Sequence, residues 1–331
     1  MRTVRAVLVL GGLAAVAYMV VITGLEALLA PLRALSWRLL VFLVFPYAVV
    51  ALLHTLGWQL AFTRLPVSFQ RLFSIRLAGE ALNLAAASVG GEPVKVYLLR
   101  PAVPIIEASA AQVVDKTGIT IGQVLFLGVG LGVAFPLFDL PRDFLSAMVA
   151  LLGIQVVVVC AFVFVQSVGM FGWAVRLWDG LGLRDSGATG RGLRRLDHAV
   201  AASYRQRPGR ALGCVVSHLL GWVAGSLEVY LVLQWLGVGG SFADALVIDA
   251  FGTAVKFMAF AIPGALGALE GGYMLAFSAL GFGSGLGLSF TLIRRLRMLA
   301  WSALGLLILA LLRSAGESAT RSAAPRPASA P

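Results

Sequence analysis

Residues 76–100 read RLAGEALNLAAASVGGEPVKVYLLR, and the fold turns on what such a stretch can be. It is apolar enough for membrane depth, yet it holds Glu80, Asn83, Glu92 and Lys95, with Gly90, Gly91 and Pro93 at its centre. An ionised carboxylate in hydrocarbon costs several kcal/mol or more. Gly-Gly followed two residues later by Pro interrupts the hydrogen-bond ladder of a continuous helix. The reading is a broken, re-entrant helix pair whose turn faces a polar cavity, since irregular backbone survives at that depth only where protein or water surrounds it.

A second stretch has the same ingredients. Residues 244–282, DALVIDAFGTAVKFMAFAIPGALGALEGGYMLAFSALGF, combine Asp249 and Lys256 with a Pro263-Gly264 break and with Glu270 followed by Gly271 and Gly272. Both halves of the chain thus place a Pro/Gly interruption and a Glu beside a glycine pair inside apolar sequence. Binding sites of inverted-repeat transporters look like this from sequence.

The composition sets the class. The 331 residues are 60% hydrophobic and 12% charged, with a mean hydropathy of +0.93, far from any soluble globular composition. The expected fold is all-α: a polytopic helical membrane protein with about six to eight spans. The formal net charge of +11 does not point to nucleic acid, because the basic residues cluster between long apolar runs, as the positive-inside bias demands. Cys160 and Cys214 lie inside apolar segments with no metal or disulfide spacing, so they read as packing residues; no metal or cofactor is expected.

Walking outward, a retained first span covers about Val7 to Leu25, with Arg2 and Arg5 holding the N-terminus in the cytoplasm. Further spans cover about Leu39 to Phe62, Ile119 to Leu140, Phe144 to Val168 and Ala211 to Leu236. His54 in the second reads as a hydrogen-bonded interior residue. Phe69, Leu72, Phe73 and Leu77 suit an interfacial helix whose arginines meet head groups. Asp115 and Lys116 stand at the start of the third span, either as a neutralising interfacial pair or as cavity lining. Glycines 118, 122, 128, 130 and 132 give that span a smooth packing face.

From Arg184 to Arg210 the chain is strongly basic, which places this loop in the cytoplasm, with a short helix around Leu193 to Tyr204. Glu228 either pairs with a basic group on another helix or lines the cavity. The last apolar run, Met298 to Leu312, is short, so its helix begins before Arg294, Arg295 and Arg297. Residues 1–313 form a single membrane domain, and 314–331 are expected to be disordered.

Reactive loops are missing from the sequence. There is no HExxH, no DxxD-type carboxylate cluster, no serine elbow and no phosphate loop, so an enzyme is not expected. The misplaced polar residues are membrane-embedded, which fits passage or binding of an amphipathic molecule.

GEALNLAAASVGGEPVKVYLL, VVDKTG and IPGALGALEGGY together resemble the flippase-like membrane region of lysylphosphatidylglycerol synthases, most nearly its hopanoid-biosynthesis-associated HpnL branch. The resemblance runs from about Val7 to Leu312. It implies a bacterial inner-membrane protein that moves a lipid between leaflets, with hopanoids or anionic phospholipids as cargo. Membrane lipids are its implied partners, together with lipid or hopanoid biosynthesis proteins. Relatives with a C-terminal aminoacyl-transfer domain suggest no such activity here, where little follows the last span.

The candidate cavity residues are Glu80, Asn83, Glu92, Lys95, Asp115, Lys116, Glu270 and Arg294; Gly90, Gly91, Pro93, Pro263, Gly264 and Gly271 are the structural breaks. Two other readings remain open. One is a membrane scaffold acting through the arginine loop, and the other a lipid-modifying enzyme using the carboxylates as acid and base.

Overall fold

The structure, a computed structural model, describes residues 36–64, 67–85, 90–180 and 187–322. The expected first span and the orientation of the N-terminus lie outside these residues. Among the described residues the chain forms eleven helices and no strand. They are α1 (Arg38–Ala61), α2 (Phe69–Ala85), α3 (Glu92–Leu99), α4 (Ile105–Leu137), α5 (Arg142–Ser167), α6 (Met170–Gly180), α7 (Gly187–Gln206), α8 (Pro208–Trp235), α9 (Phe242–Met258), α10 (Ala268–Ala279) and α11 (Ser284–Ser322). Five are long and apolar enough to cross a membrane: α1, α4, α5, α8 and α11 over Ser284–Leu312.

Both broken segments are present. In the first, α2 and α3 pack on each other, and the second begins at the Gly90-Gly91 turn with Pro93 in its first helical turn. Pro there lacks only an N–H that has no helical partner anyway. Gly91 is needed for a close approach: a Cβ on it would lie 1.9 Å from the Gly79 carbonyl oxygen. In the second, α9 starts at a capping box, with Ser241 and Asp244 each satisfying the other's backbone N–H. It ends at Met258, and a single 3-10 turn at Pro263–Ala265 reverses the chain into α10. Gly264 (φ 63°) and Gly267 (φ 80°) supply the left-handed backbone that this reversal requires. The tip of this second hairpin rests against α2.

The bundle is held by small-residue contacts and by aromatic packing. α1 lies along α8, α2 along α11, and α4 against α8 and α9. Phe42, Phe126, Phe144, Tyr273, Phe277 and Phe290 anchor one core, and Trp58, Phe62, Leu72 and Leu99 a second. α5 exposes Val157 and Phe164, the outward apolar face expected where lipid is the solvent. On α4, a Cβ at Gly118, Gly122 or Gly130 would collide with α8 or α9, whereas Gly128 and Gly132 touch nothing. The packing face is therefore narrower than the five glycines suggest.

Four expectations change. The third span is a 33-residue helix that starts at Ile105, which takes Asp115 from the start of a span to a fully buried position inside one. The proposed interfacial helix is the first half of α2, and Arg76 on it is buried instead of meeting head groups. The basic stretch is mostly helix, α7, packed against α4. The last helix does begin ahead of the arginines, and it continues to Ser322, into the segment expected to be disordered.

Gly91→Ala is expected to destabilise the protein by about 2–4 kcal/mol, because two backbones would have to separate. Gly128→Ala should be neutral within about 0.5 kcal/mol. Thermal unfolding of the two purified variants in one detergent checks the difference, and equal midpoints would remove the close-approach account.

Candidate functional site

The first hairpin closes a carboxylate cage. Lys95 on α3, fully buried, donates to Glu80 Oε1 at 2.5 Å and sits 3.4 Å from Glu92. Asn83 binds both acids through Nδ2, at 3.2 Å to Glu80 and 3.1 Å to Glu92, and its Oδ1 accepts from the Gly91 N–H at 2.7 Å. From α4, Lys116 reaches Glu92 Oε1 at 2.6 Å and Gln112 donates to Oε2 at 2.5 Å. An asparagine can both donate and accept, so Asn83 ties the turn to the carboxylates in one step.

One residue before Lys116, Asp115 faces a different neighbourhood. Its Oδ1 lies 2.9 Å from His218 Nε2 and 3.6 Å from the Arg76 guanidinium, which also donates to the His54 carbonyl at 2.9 Å. His218 Nδ1 and His54 Nδ1 are 2.8 Å apart. A carboxylate only accepts, so in the neutral pair His218 carries its hydrogen on Nε2 and its Nδ1 accepts from His54 Nδ1–H. Asp115, Cys214 and His218 bring potential ligand atoms within 4.8 Å of one another. A metal there would have to displace the His218–Asp115 bond and compete with Arg76, so the donor set fits the ion pair better than a cation.

The C-terminal half holds a third group. Arg294 bridges Glu228 (3.1 Å) and Asp249 (2.8 Å), Arg297 pairs with Glu228 at 3.1 Å, and Tyr273 donates to Asp249 at 2.5 Å. Arg295 bonds Glu270 and the Gly264 carbonyl, while Glu270 accepts from the Gly267 N–H at 2.8 Å. Glu270 is thus the clasp of the second hairpin.

Between the hairpins lies a cavity of about 380 Å³. Its polar lining residues include Glu80, Asn83, Lys116, Gln123, Lys256 and Arg297, and its apolar ones Leu77, Trp222, Phe257, Phe260, Met298 and Trp301. Of the eight residues expected to line it, Glu80, Asn83 and Lys116 do so. Glu92 and Lys95 stand behind them, holding the wall in place. Asp115, Glu270 and Arg294 are not part of the lining: each is held in a buried ion pair instead.

Residues 6–312 match the family model of the lysylphosphatidylglycerol synthase TM region. The chain belongs to that family. A UPF0104 membrane protein of Methanothermobacter thermautotrophicus is similar to it, at 25% identity over 315 residues, covering 89% of this chain and 91% of that protein. No solved structure matches. The match is to the family as a whole and assigns no hopanoid branch.

Of the residues that the sequence reading left out of the site, the histidine pair had the clearest signal. Residues 54–58 read HTLGW and residues 218–222 read HLLGW. The two pentapeptides pack reciprocally: a Cβ on Gly57 would strike the His218 ring, and one on Gly221 the His54 ring. Arg76, Gln112, Arg297 and Tyr273 had no comparable local mark.

Lys95→Met is expected to cost about 3–5 kcal/mol, because it leaves Glu80 and Glu92 short of their buried counter-ion. Lys116 is 34% exposed, so Lys116→Met should cost about 1 kcal/mol or less. Comparing the two unfolding midpoints decides whether Lys95 or Lys116 is the keystone of the cage.

Proposed function

We propose that this chain moves a membrane lipid between leaflets without changing it chemically, holding the head group in the cavity between the two hairpins. The observation that carries this reading is the cavity's mixed lining. It offers charged and amide groups that a head group can bind, and also Phe257, Phe260 and Met298, on which an acyl or terpenoid chain can lie. Phe260, at the tip of the second hairpin, is 65% exposed, so the apolar lining reaches the outer surface of the bundle.

Both halves of the chain contribute in the same order. α1 and α8 carry the two histidine pentapeptides and lend Tyr47 and Trp222 to the cavity. α2 presents Glu80 and Asn83, and α9 presents Thr253 and Lys256 at the same three-residue spacing. α4 adds Lys116 and Thr120; α11 adds Arg297 and Trp301, at the same four-residue spacing. A repeat of this kind supports alternating access, in which one half rocks against the other around a site at their interface. We place the protein in a bacterial inner membrane with lipids as its partners, and read the basic α7 as the surface that lies against acidic lipid.

In proteoliposomes containing a fluorescent phospholipid, the wild type is expected to speed leaflet exchange. Ser302→Trp, which fills the cavity from its wall, should slow that exchange about tenfold while leaving the unfolding midpoint within a few degrees. Wild-type vesicles no faster than empty ones would reject transport. Chemical conversion of the labelled lipid would favour the enzyme reading instead.

A further inference from the structure

The buried chain of His54, His218 and Asp115 serves neither the cavity lining nor the hairpin clasps. It is continuous, with 2.8 Å between the two Nδ1 atoms and 2.9 Å from His218 Nε2 to Asp115 Oδ1. Each ring is pinned over a glycine of the facing helix, His54 over Gly221 and His218 over Gly57, in space that a Cβ would fill. The two ends of the chain differ. His218 and Asp115 are 0% and 1% exposed, whereas His54 is 8% exposed, and its Nε2 makes no hydrogen bond among the described residues. Access to the chain is therefore through His54. Trp222 meets that ring edge-on, with 5.4 Å between centroids, and Trp222 lines the cavity.

Such a chain can run in either direction without leaving a charge on an imidazole. At the start His54 Nδ1–H donates to His218 Nδ1, and His218 Nε2–H donates to Asp115. A proton arriving at His54 Nε2 lets the His54 Nδ1 hydrogen pass to His218 Nδ1, and the His218 Nε2 hydrogen pass to Asp115 Oδ1. One proton has then entered and Asp115 has become a neutral carboxylic acid. Both rings are neutral in the opposite tautomer, and each hydrogen bond persists with donor and acceptor exchanged. Imidazole suits this because it accepts on one nitrogen as it gives from the other.

The surrounding charges decide when the proton stays. Arg76 and Glu80 face the chain from α2, Lys95 from α3, Lys116 from α4 and the Cys214 thiol from α8. The two lysines are held by Glu80 and Glu92, which leaves Arg76 against Asp115. With α4 in place those two charges cancel. A shift of α4 takes Asp115 from both Arg76 and His218, and its Oδ2 is already buried without a hydrogen-bond partner. A bare carboxylate at membrane depth is costly, and a proton removes that cost.

We propose that His54, His218 and Asp115 form a proton site and wire, in which Asp115 takes up one proton through the two imidazoles before α4 shifts and gives it up when α4 returns to Arg76. The wire does not depend on what the cavity holds. Its use in coupling lipid movement to a proton gradient rests on the lipid-moving reading.

The test uses the full chain in proteoliposomes with a fluorescent phospholipid and an interior pH-sensitive dye, with and without an imposed gradient of about two pH units. One proton per movement predicts that the gradient changes wild-type exchange about tenfold or more, with proton entry reported by the dye. His54→Gln and His218→Gln keep a polar side chain that cannot pass a proton, so each should lose both responses. Asp115→Asn can leave Arg76 without a proton, so its exchange should be independent of pH. Should that variant not fold, the two histidine variants carry the test. A histidine that only packs would lower the rate at every pH alike when replaced, without flattening the pH profile.

A gradient response kept by both His54→Gln and His218→Gln would overturn the proposal. Wild-type exchange that ignores the gradient and moves no protons would also overturn it, and would leave lipid movement standing. Proton entry that depends on His54, with no lipid exchange, would support the wire and reject the lipid-moving reading.

Discussion

Charge inside a membrane bundle must find an opposite charge on another helix, and that constraint organises this structure. Between helices in lipid there is little hydrophobic drive, since the tails are as apolar as the side chains. Register must come from close small-residue contacts and from polar pairs that tolerate only one alignment. Here the pairs join α2 to α3 (Glu80 with Lys95), α3 to α4 (Glu92 with Lys116) and α2 to α4 (Arg76 with Asp115). They also join α11 to α8, α9 and α10 through Glu228, Asp249 and Glu270. Each short helix of a broken hairpin, which could not hold its position by packing area alone, is fixed by at least one of these links.

The two halves solve the same problem with reversed signs. In the N-terminal half the arginine is on the hairpin helix α2 and the acid, Asp115, on the span that follows. In the C-terminal half the acid, Asp249, is on the hairpin helix α9 and the arginine, Arg294, on the span that follows. Reciprocal seating of His54 and His218 over each other's glycine puts the α1–α8 contact at the centre of this arrangement. A pseudo-symmetric frame with reversed charges matches these buried charges in each half without making the halves interchangeable. The cavity between them can then be asymmetric, with Glu80 and Asn83 on one side and Thr253 and Lys256 on the other.

What could be read from sequence followed from local chemistry. Gly90, Gly91 and Pro93 marked the first break, and Pro263 and Gly264 the second, because backbone interruption depends on residue type alone. Apolar run length located three of the five described spans to within a few residues at both ends. The start of α4 was misplaced because Asp115 and Lys116 look interfacial when their partners are unknown. Those partners are 39 and 103 residues from Asp115, on α2 and α8, and nothing local announces them. The same blindness put Glu270 and Arg294 in the cavity: an isolated acid in apolar sequence signals that it needs a partner, but not whether the partner is protein or ligand. Lys256 lay in a stretch singled out as unusual, yet only the fold places it on the cavity.

The adjacency of Asp115 and Lys116 bears on how such a site can move. Successive residues on a helix point about 100° apart, so α4 turns one side chain to the buried histidine pair and the next to the hairpin cage. Rotating or sliding α4 enough to release Lys116 from Glu92 would also draw Asp115 from His218 and Arg76. Arg76 and Glu80, one turn apart on α2, repeat this coupling from the other side, since one holds Asp115 and the other holds Lys95. The wall of the cavity and the buried network are therefore two faces of the same helices. Any opening of the cavity that shifts α4 against α2 or α8 must therefore break the Asp115 pairings as well, so the buried network resists movement of the cavity wall.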